Sequence, residues 1–308
     1  MTIATPLGQE EILERARGFC APFRIDDGAA FRLKDVDPQD TLTLDPADKD
    51  RARQVLAEGV DLLAQLQDRL YAQDRWAVLL IFQAMDAAGK DGTIKHVMSG
   101  VNPQGCQVTS FKQPSTEELD HDWMWRSWKA LPERGRIGIF NRSYYEEVLV
   151  VRVHESILAT QKLPKPALTK GIFRERLRDI AHFEDYLTRN GTTVLKFFLH
   201  VSRKEQKKRF IERLDEPDKN WKFAIGDVKE RAYWNDYMAA YEDAIRATAT
   251  RDAPWFVVPA DNKWFTRLVV VAAVVEAMEK MKLAYPTVTD AQKADLARAR
   301  ELLLTEKK

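Results

Sequence analysis

The feature that most constrains this chain is the run Trp76-Ala-Val-Leu-Leu-Ile-Phe82, which leads straight into the turn Ala84-Met-Asp-Ala-Ala-Gly-Lys-Asp-Gly-Thr93. A short uninterrupted apolar run is what a strand buried on both faces requires. Similar runs recur at 107–111, 136–140, 193–201 and 255–259. Helical-looking segments separate them, at 93–99, 116–130, 172–190, 204–213 and 228–248. Strands alternating with helices predict right-handed crossovers, hence a three-layer α/β/α fold around a mostly parallel five-stranded sheet.

The flanks read differently. Residues 1–46 carry Pro6, Pro22, Gly28, Pro38 and Pro46 and predict an irregular arm with one short helix near Gln9–Phe19. Asp45 is placed to cap a long helix over about 46–72, where Leu56, Val60, Leu63 and Leu70 recur at helical steps. Two further helices are expected at 262–282 and 290–306, the last with a capping box from Thr289 and Gln292. The expected division is an N-terminal arm and long helix (1–72), a core (73–285) with a lid at about 205–231, and a C-terminal helix packed on that core (286–308).

Charge narrows the partners. Lys and Arg number 48 against 47 Asp and Glu. Such balance removes bulk charge as a reason to bind nucleic acid or a membrane, so any anion site must be a local cluster. No secretory leader is evident at Met1–Glu10, and the apolar run Leu268–Val275 is far short of the roughly 20 residues a spanning helix needs. Cys20 and Cys106 are too few for a disulfide framework and read as free thiols. Together these point to a cytoplasmic protein.

The turn after the first strand carries the chemistry. Small residues and Gly89 let backbone amides converge on an anion, and the following helix presents its positive end to the same point. Lys90 adds a mobile full charge. This is a P-loop in its required strand-to-helix context. It departs from the usual spelling: Ala84 replaces the first Gly, and Asp91 stands where Ser or Thr ordinarily holds magnesium, with Thr93 two residues late. Asp86, a carboxylate inside a phosphate cradle, calls for a bridging cation; its other reading is a helix N-cap.

Three more clusters follow. Arg203, Lys204, Lys207, Lys208, Arg209 and Arg213 form a dense cationic row after a strand end, where open α/β sheets bind ligands. The other reading of the row is a solvated helix paired with Glu205 and Glu212. Asp215–Arg231 is polar, holds Pro217, Gly226, Lys219, Trp221 and Lys222, and reads as a lid or as a loop anchored by Trp221. His96, His121, His154, His182 and His200 lack metal-ligand spacing, and Trp123, Trp125 and Trp128 read as packing residues or as a base-stacking platform.

Ala84–Lys95 resembles the signature of the family-2 polyphosphate kinases, and Asn141-Arg-Ser-Tyr-Tyr-Glu-Glu147 resembles that family's second motif. Ser202–Gln206 and Pro217–Lys222 resemble its third motif and its lid, in the same order. The resemblance implies a P-loop kinase-like fold, similar to thymidylate kinase, with a helical lid and helical terminal additions. It implies magnesium-dependent, reversible transfer of the terminal phosphoryl group of inorganic polyphosphate to AMP or ADP, giving ADP or ATP. It also implies a homo-oligomer, dimer or tetramer. The Glu146 spelling resembles the subgroup that accepts both AMP and ADP.

Roles follow from the resemblance. Asp86, Lys90, Arg142 and Arg203 would be catalytic. Polyphosphate would be held by Ala88, Gly89, Lys90, Asp91, Gly92, Thr93 and Lys95, together with Arg203, Lys207 and Lys208. Asp86, Glu146, Arg209, Arg213 and Lys222 would serve the nucleotide and lid. Asn141 stands where many relatives have Asp, so magnesium would rest on Asp86 and on Glu146 or Glu147, with Glu147 taken as the second ligand. The rival readings are an ATP-dependent nucleotide or small-molecule kinase and a nucleotide-binding scaffold without turnover; the missing Ser/Thr after Lys90 and the length of the cation row weigh against the first.

Overall fold

The computed structural model describes residues 9–222 and 225–306. Helix α1 (Gln9–Cys20) leads to a two-residue strand β1 (Arg24–Ile25) and the long helix α2 (Lys49–Gln73). Asp45 caps the turn before α2 with a full capping box, as its position predicts. Strand β2 (Ala77–Gln83), the P-loop and α3 (Lys90–Val97) follow. Next come β3 (Cys106–Ser110), α4 (Thr116–Asp120), α5 (Trp125–Lys129), β4 (Ile137–Asn141) and α6 (Val150–Val153). The chain continues through α7 (Ile172–Arg189), β5 (Thr192–His200), α8 (Arg203–Asp215), α9 (Ile225–Glu230) and α10 (Trp234–Thr248). It ends with β6 (Trp255–Pro259), α11 (Lys263–Lys280) and α12 (Asp290–Thr305).

Among the described residues the strands form one six-stranded sheet in the order β1-β6-β5-β2-β4-β3. The five strands expected from apolar runs are parallel; the sixth, β1, is antiparallel to β6 at the edge. Two residues are too few to show an alternation, which is why β1 leaves no mark in the sequence. All seven residues of β2 are buried, consistent with a central strand covered on both faces. Helices α1, α2 and α3 pack with α11, and α7 packs with α10 and β5. The register sets Phe82 of β2 beside Asn141 of β4. The P-loop and the second motif therefore leave the sheet side by side at its carboxyl edge.

Two expectations need correction. The helix expected over 116–130 is broken into α4 and α5. A capping box between Ser115 and Glu118 starts α4, and the chain is extended at His121. Each tryptophan of this segment has an engaged ring: Trp125 stacks on His121 with Lys129 on it, Trp128 meets Phe183 edge-on, and Arg176 covers Trp123. All three rings thus have protein partners, with Trp123 and Trp125 half-buried and Trp128 exposed. The C-terminal helix α12 forms with its Thr289–Gln292 capping box, but all its described residues are exposed, so it is not packed on the core. Its leucines explain why. Leu302, Leu303 and Leu304 are consecutive, so they spread around the helix instead of building one stripe.

Candidate active site

The P-loop is a tight cradle. Ala87 and Gly89 both take left-handed backbone conformations, φ 61° and φ 108°. Such a residue costs little as glycine and more as alanine, so Ala87 marks strain held in place by its surroundings. The Ala88 amide donates to Met85 O and the Thr93 amide to Gly89 O. Those two amides, expected to meet phosphate, are thus engaged inside the loop, and the Thr93 side chain is buried. Among the described residues, the amides of Gly89, Lys90, Asp91 and Gly92 carry no such bond. Lys90 Nζ lies 3.0 Å from Ala84 O, arched back over the loop. Burial lowers its pKa to about 8, helped by the Arg142 charge and opposed by Asp86, Glu146 and Asp91.

The second motif closes one side of the cradle. Arg142, itself left-handed at φ 66°, donates to Asp86 Oδ1 at 2.8 Å and to Glu146 Oε2 at 3.1 Å. Coulombic attraction to Glu146 leads the factors that raise its pKa, so the guanidinium stays charged. Gln83, buried at the end of β2, donates to the other Glu146 oxygen at 2.9 Å. Asn141 Nδ2 donates to Asp91 Oδ1 at 2.8 Å, so its amide fixes the loop rather than presenting an anionic ligand. The structure thus brings Asp86, Lys90, Arg142 and Glu146 together, as the motifs predict.

Two other expected site residues have protein partners instead. Glu147 was expected to hold metal, yet it is buried against Arg176 at 3.0 Å and Gln161 at 2.6 Å. Burial raises its pKa, countered by those same partners. Arg209 was expected at the nucleotide or lid; it is buried and fully bonded instead. Its Nη1 donates to Ala87 O and Ala88 O, its Nη2 to Ala260 O and Asp261 O, and its Nε to Glu205. It staples α8 to the back of the P-loop. Both side chains are long and charged, and sequence alone cannot tell a ligand-facing cation from one that caps carbonyls.

Of the rest of the cation row, Arg213 reaches the P-loop cavity and the others point to solvent. Arg203, Lys207 and Lys208 are exposed, with Lys208 3.8 Å from both Glu205 and Glu212. Arg203 Nη2 donates to Arg231 O, tying α8 to the end of the lid. Lys95 is exposed on α3. The side chain of Lys222 lies outside the described residues. Gln206 was overlooked: it is buried, donates to Asp86 O at 2.9 Å and accepts from Arg231 at 2.5 Å. Its place one helical turn after Ser202, whose hydroxyl caps α8, was the available signal.

Two cavities meet here. One of about 550 Å³ is lined by the P-loop from Asp86 to Gly92, Asn141, Arg142, Arg213, Trp221 and Asp227. Trp221, 78% exposed, faces this space and does not anchor the lid in the core. The second, about 640 Å³, has an apolar wall of Leu119, Val150, Val151 and Ile157 and a charged floor of Arg126, Glu146 and Glu147. Phe111, Lys112 and Arg142 line both. Among the described residues no group of three acidic, histidine or cysteine side chains could hold an ion unaided. Magnesium asks for less, one or two carboxylates with substrate phosphates and water. Asp86 fits that demand, since Arg142 holds only Oδ1.

Comparison with known proteins agrees with this geometry. The family model described as Polyphosphate kinase 2 (PPK2) matches residues 46–286. An ADP-polyphosphate phosphotransferase of Rhodopseudomonas palustris is 54% identical over 257 residues, 83% of this chain and 89% of that protein. An AMP/ADP-polyphosphate phosphotransferase of Meiothermus ruber is 44% identical over 264 residues, 86% of this chain and 94% of that one. The crystal structure of polyphosphate kinase 2 from Arthrobacter aurescens TC1 superimposes with a TM-score of 0.81 at 40% identity, covering 90% of this chain and 95% of that one. With its P-loop, second motif, lid and the five parallel strands all inside the matched region, the chain belongs to the polyphosphate kinase 2 family.

Proposed function

We propose that this enzyme transfers the terminal phosphoryl group of inorganic polyphosphate to AMP or ADP. The observation that carries the reading is the meeting of two cavities at Phe111, Lys112 and Arg142. The P-loop cavity suits a polyanion: free amides, Lys90 and Arg213 face it. The neighbouring cavity suits a nucleoside, with its apolar wall for the base. The nucleotide's terminal phosphate then reaches Arg142, and its oxygen attacks the last phosphorus of the polymer.

One phosphoanhydride bond forms as another breaks, so the reaction is close to reversible. No protein nucleophile is needed. The transition state is loose and its charge is spread over the transferred oxygens, so positioning and charge neutralisation dominate. Lys90 and the amides of Gly89–Gly92 hold the donor end, and Arg142 offsets charge on the transferred group. Asp86 would hold magnesium, which when bound neutralises phosphate charge. The lid, tied to Arg203 through Arg231, closes over the site and excludes water that would hydrolyse the donor. Glu146, held between Gln83 and Arg142, faces the nucleotide cavity and supports acceptance of both AMP and ADP.

The test is direct. Purified protein with ADP, long-chain polyphosphate and magnesium yields ATP by coupled luminescence, and AMP in place of ADP yields ADP. Turnover with ATP as the only donor to AMP, and none with polyphosphate, would reject the reading in favour of an ordinary nucleotide kinase.

A further inference from the structure

Two guanidinium groups flank the two glycines of the P-loop, and their circumstances are opposite. A Cβ at Gly89 would lie 3.9 Å from Arg209 Nη1, and one at Gly92 would lie 3.9 Å from Arg267 Nη2. Arg209 gives all its donors to carbonyls and to Glu205. Arg267 gives none. Its Nε is buried without a hydrogen-bond partner, and among the described residues no carboxylate or carbonyl pairs with its guanidinium. Burial takes hydration from the guanidinium and disfavours its charged form. A desolvated donor left unmade costs free energy, and such groups in native proteins generally have a partner.

Its position identifies the partner's chemistry. Arg267 sits in the second turn of α11, which follows β6 at the same carboxyl edge of the sheet as the P-loop. Gly92 is in the first turn of α3, the positive end of that helix dipole. A cation beside that end is unfavourable unless an anion lies between them. The Arg209 staple to Ala260 and Asp261 shows that the β6–α11 junction abuts the loop directly. The nucleotide cavity opens on the opposite flank, toward β4 and β3. An anion reaching both Gly92 and Arg267 is therefore on the donor side.

We propose that Arg267 is a binding residue for the polyphosphate chain: phosphate units beyond the transferred one cross the first turn of α3 and pair with its guanidinium. This rests on the polyphosphate reading above. It places a contact on α11, well away in sequence from the cation row of α8. Arginine suits the place because its planar fork pairs two oxygens of one phosphate unit and stays charged.

The experiment compares wild type with Arg267→Ala, Arg267→Gln and Arg267→Lys, each checked for fold by circular dichroism. Long-chain sodium polyphosphate binding is measured by titration calorimetry without nucleotide, and KM is measured separately for polyphosphate and ADP. Loss of one charge-assisted contact predicts affinity and KM for polyphosphate weakened about tenfold or more in the Ala and Gln variants. The KM for ADP stays put, and the Lys variant recovers much of the loss. Equal weakening toward ADP, or no weakening toward polyphosphate, overturns the proposal. A change in oligomeric mass by light scattering with polyphosphate affinity intact also overturns it, assigning Arg267 to a subunit contact. Wild type that binds no polyphosphate would instead sink the donor assignment itself, so the two failures are distinguishable.

Discussion

Arg142 Nη2 and Asp86 Oδ1 stand 2.8 Å apart and join the P-loop to the second motif. Both side chains are about one-third exposed, so the pair is worth little to folding. On the proposed function its use is positional: one charge would serve the transferred phosphate and the other a metal. Arg142→Ala is expected to lower kcat by about a hundredfold or more, as for loss of a donor aimed at developing charge. The thermal midpoint should move little. A large midpoint drop with kcat preserved would reverse the assignment.

Asp86→Asn removes the carboxylate while keeping the shape. The magnesium concentration for half-maximal rate should rise about tenfold, an effect of about 1.4 kcal/mol. Glu147→Gln makes the contrast. It leaves the magnesium dependence in place but destabilises the fold by about 3 kcal/mol, because Arg176 loses its buried partner. Magnesium titrations beside urea unfolding separate the two carboxylates; a shifted magnesium requirement in Glu147→Gln would return that residue to the metal.

Burial pushes the pKa of the Lys90 ammonium down to about 8. Its folded pKa lies below the ordinary lysine value, so its ammonium is present below about 8 and lost above. Polyphosphate affinity of the free enzyme should therefore fall as pH rises through 8, and Lys90→Ala should bind weakly with no such break. The sign for stability is opposite: the unfolded chain binds the extra proton between about 8 and 10.5, so this group adds stability as pH rises through that window. Calorimetric binding from pH 7 to 9.5 checks the first statement; a flat wild-type profile contradicts it.

Arg209→Ala should cost about 3–5 kcal/mol, the range for removing one member of a buried charged network. Four backbone carbonyls and Glu205 lose their donor together. Urea unfolding reads this directly. A variant of unchanged stability with lost nucleotide binding would restore the ligand role expected from sequence.

Truncation after Pro286 removes α12, none of whose described residues is buried. The thermal midpoint should change by no more than about 2 °C, since surface changes fall within about 0.5 kcal/mol. A drop several times larger would show that the helix is covered in solution.

Some of this protein was legible in the chain alone. The apolar runs marked the four inner strands because a strand buried on both faces must be apolar throughout, while β3, at the edge and largely exposed, is Cys-Gln-Val-Thr-Ser and carried a weaker signal. The P-loop was readable because strand, small residues, Gly89 and Lys90 are contiguous, and local chemistry at a turn needs no distant partner. Asp45 and Thr289 announced their helix starts for the same reason. What sequence left open was the fate of each long charged side chain. Arg203, Arg209 and Arg213 look alike in one helical row, yet Arg209 alone turns inward to four carbonyls brought there by β6 and the P-loop. Glu146 and Glu147 are neighbours, and the path of the backbone after β4 sends one to Arg142 and the other to Arg176. Arg267 carried no signal, because its meaning lies in standing beside Gly92, a residue far away along the chain. Periodicity and turn chemistry are properties of neighbours in sequence; pairing of charges depends on which elements the sheet order places together, and only the tertiary structure decides that.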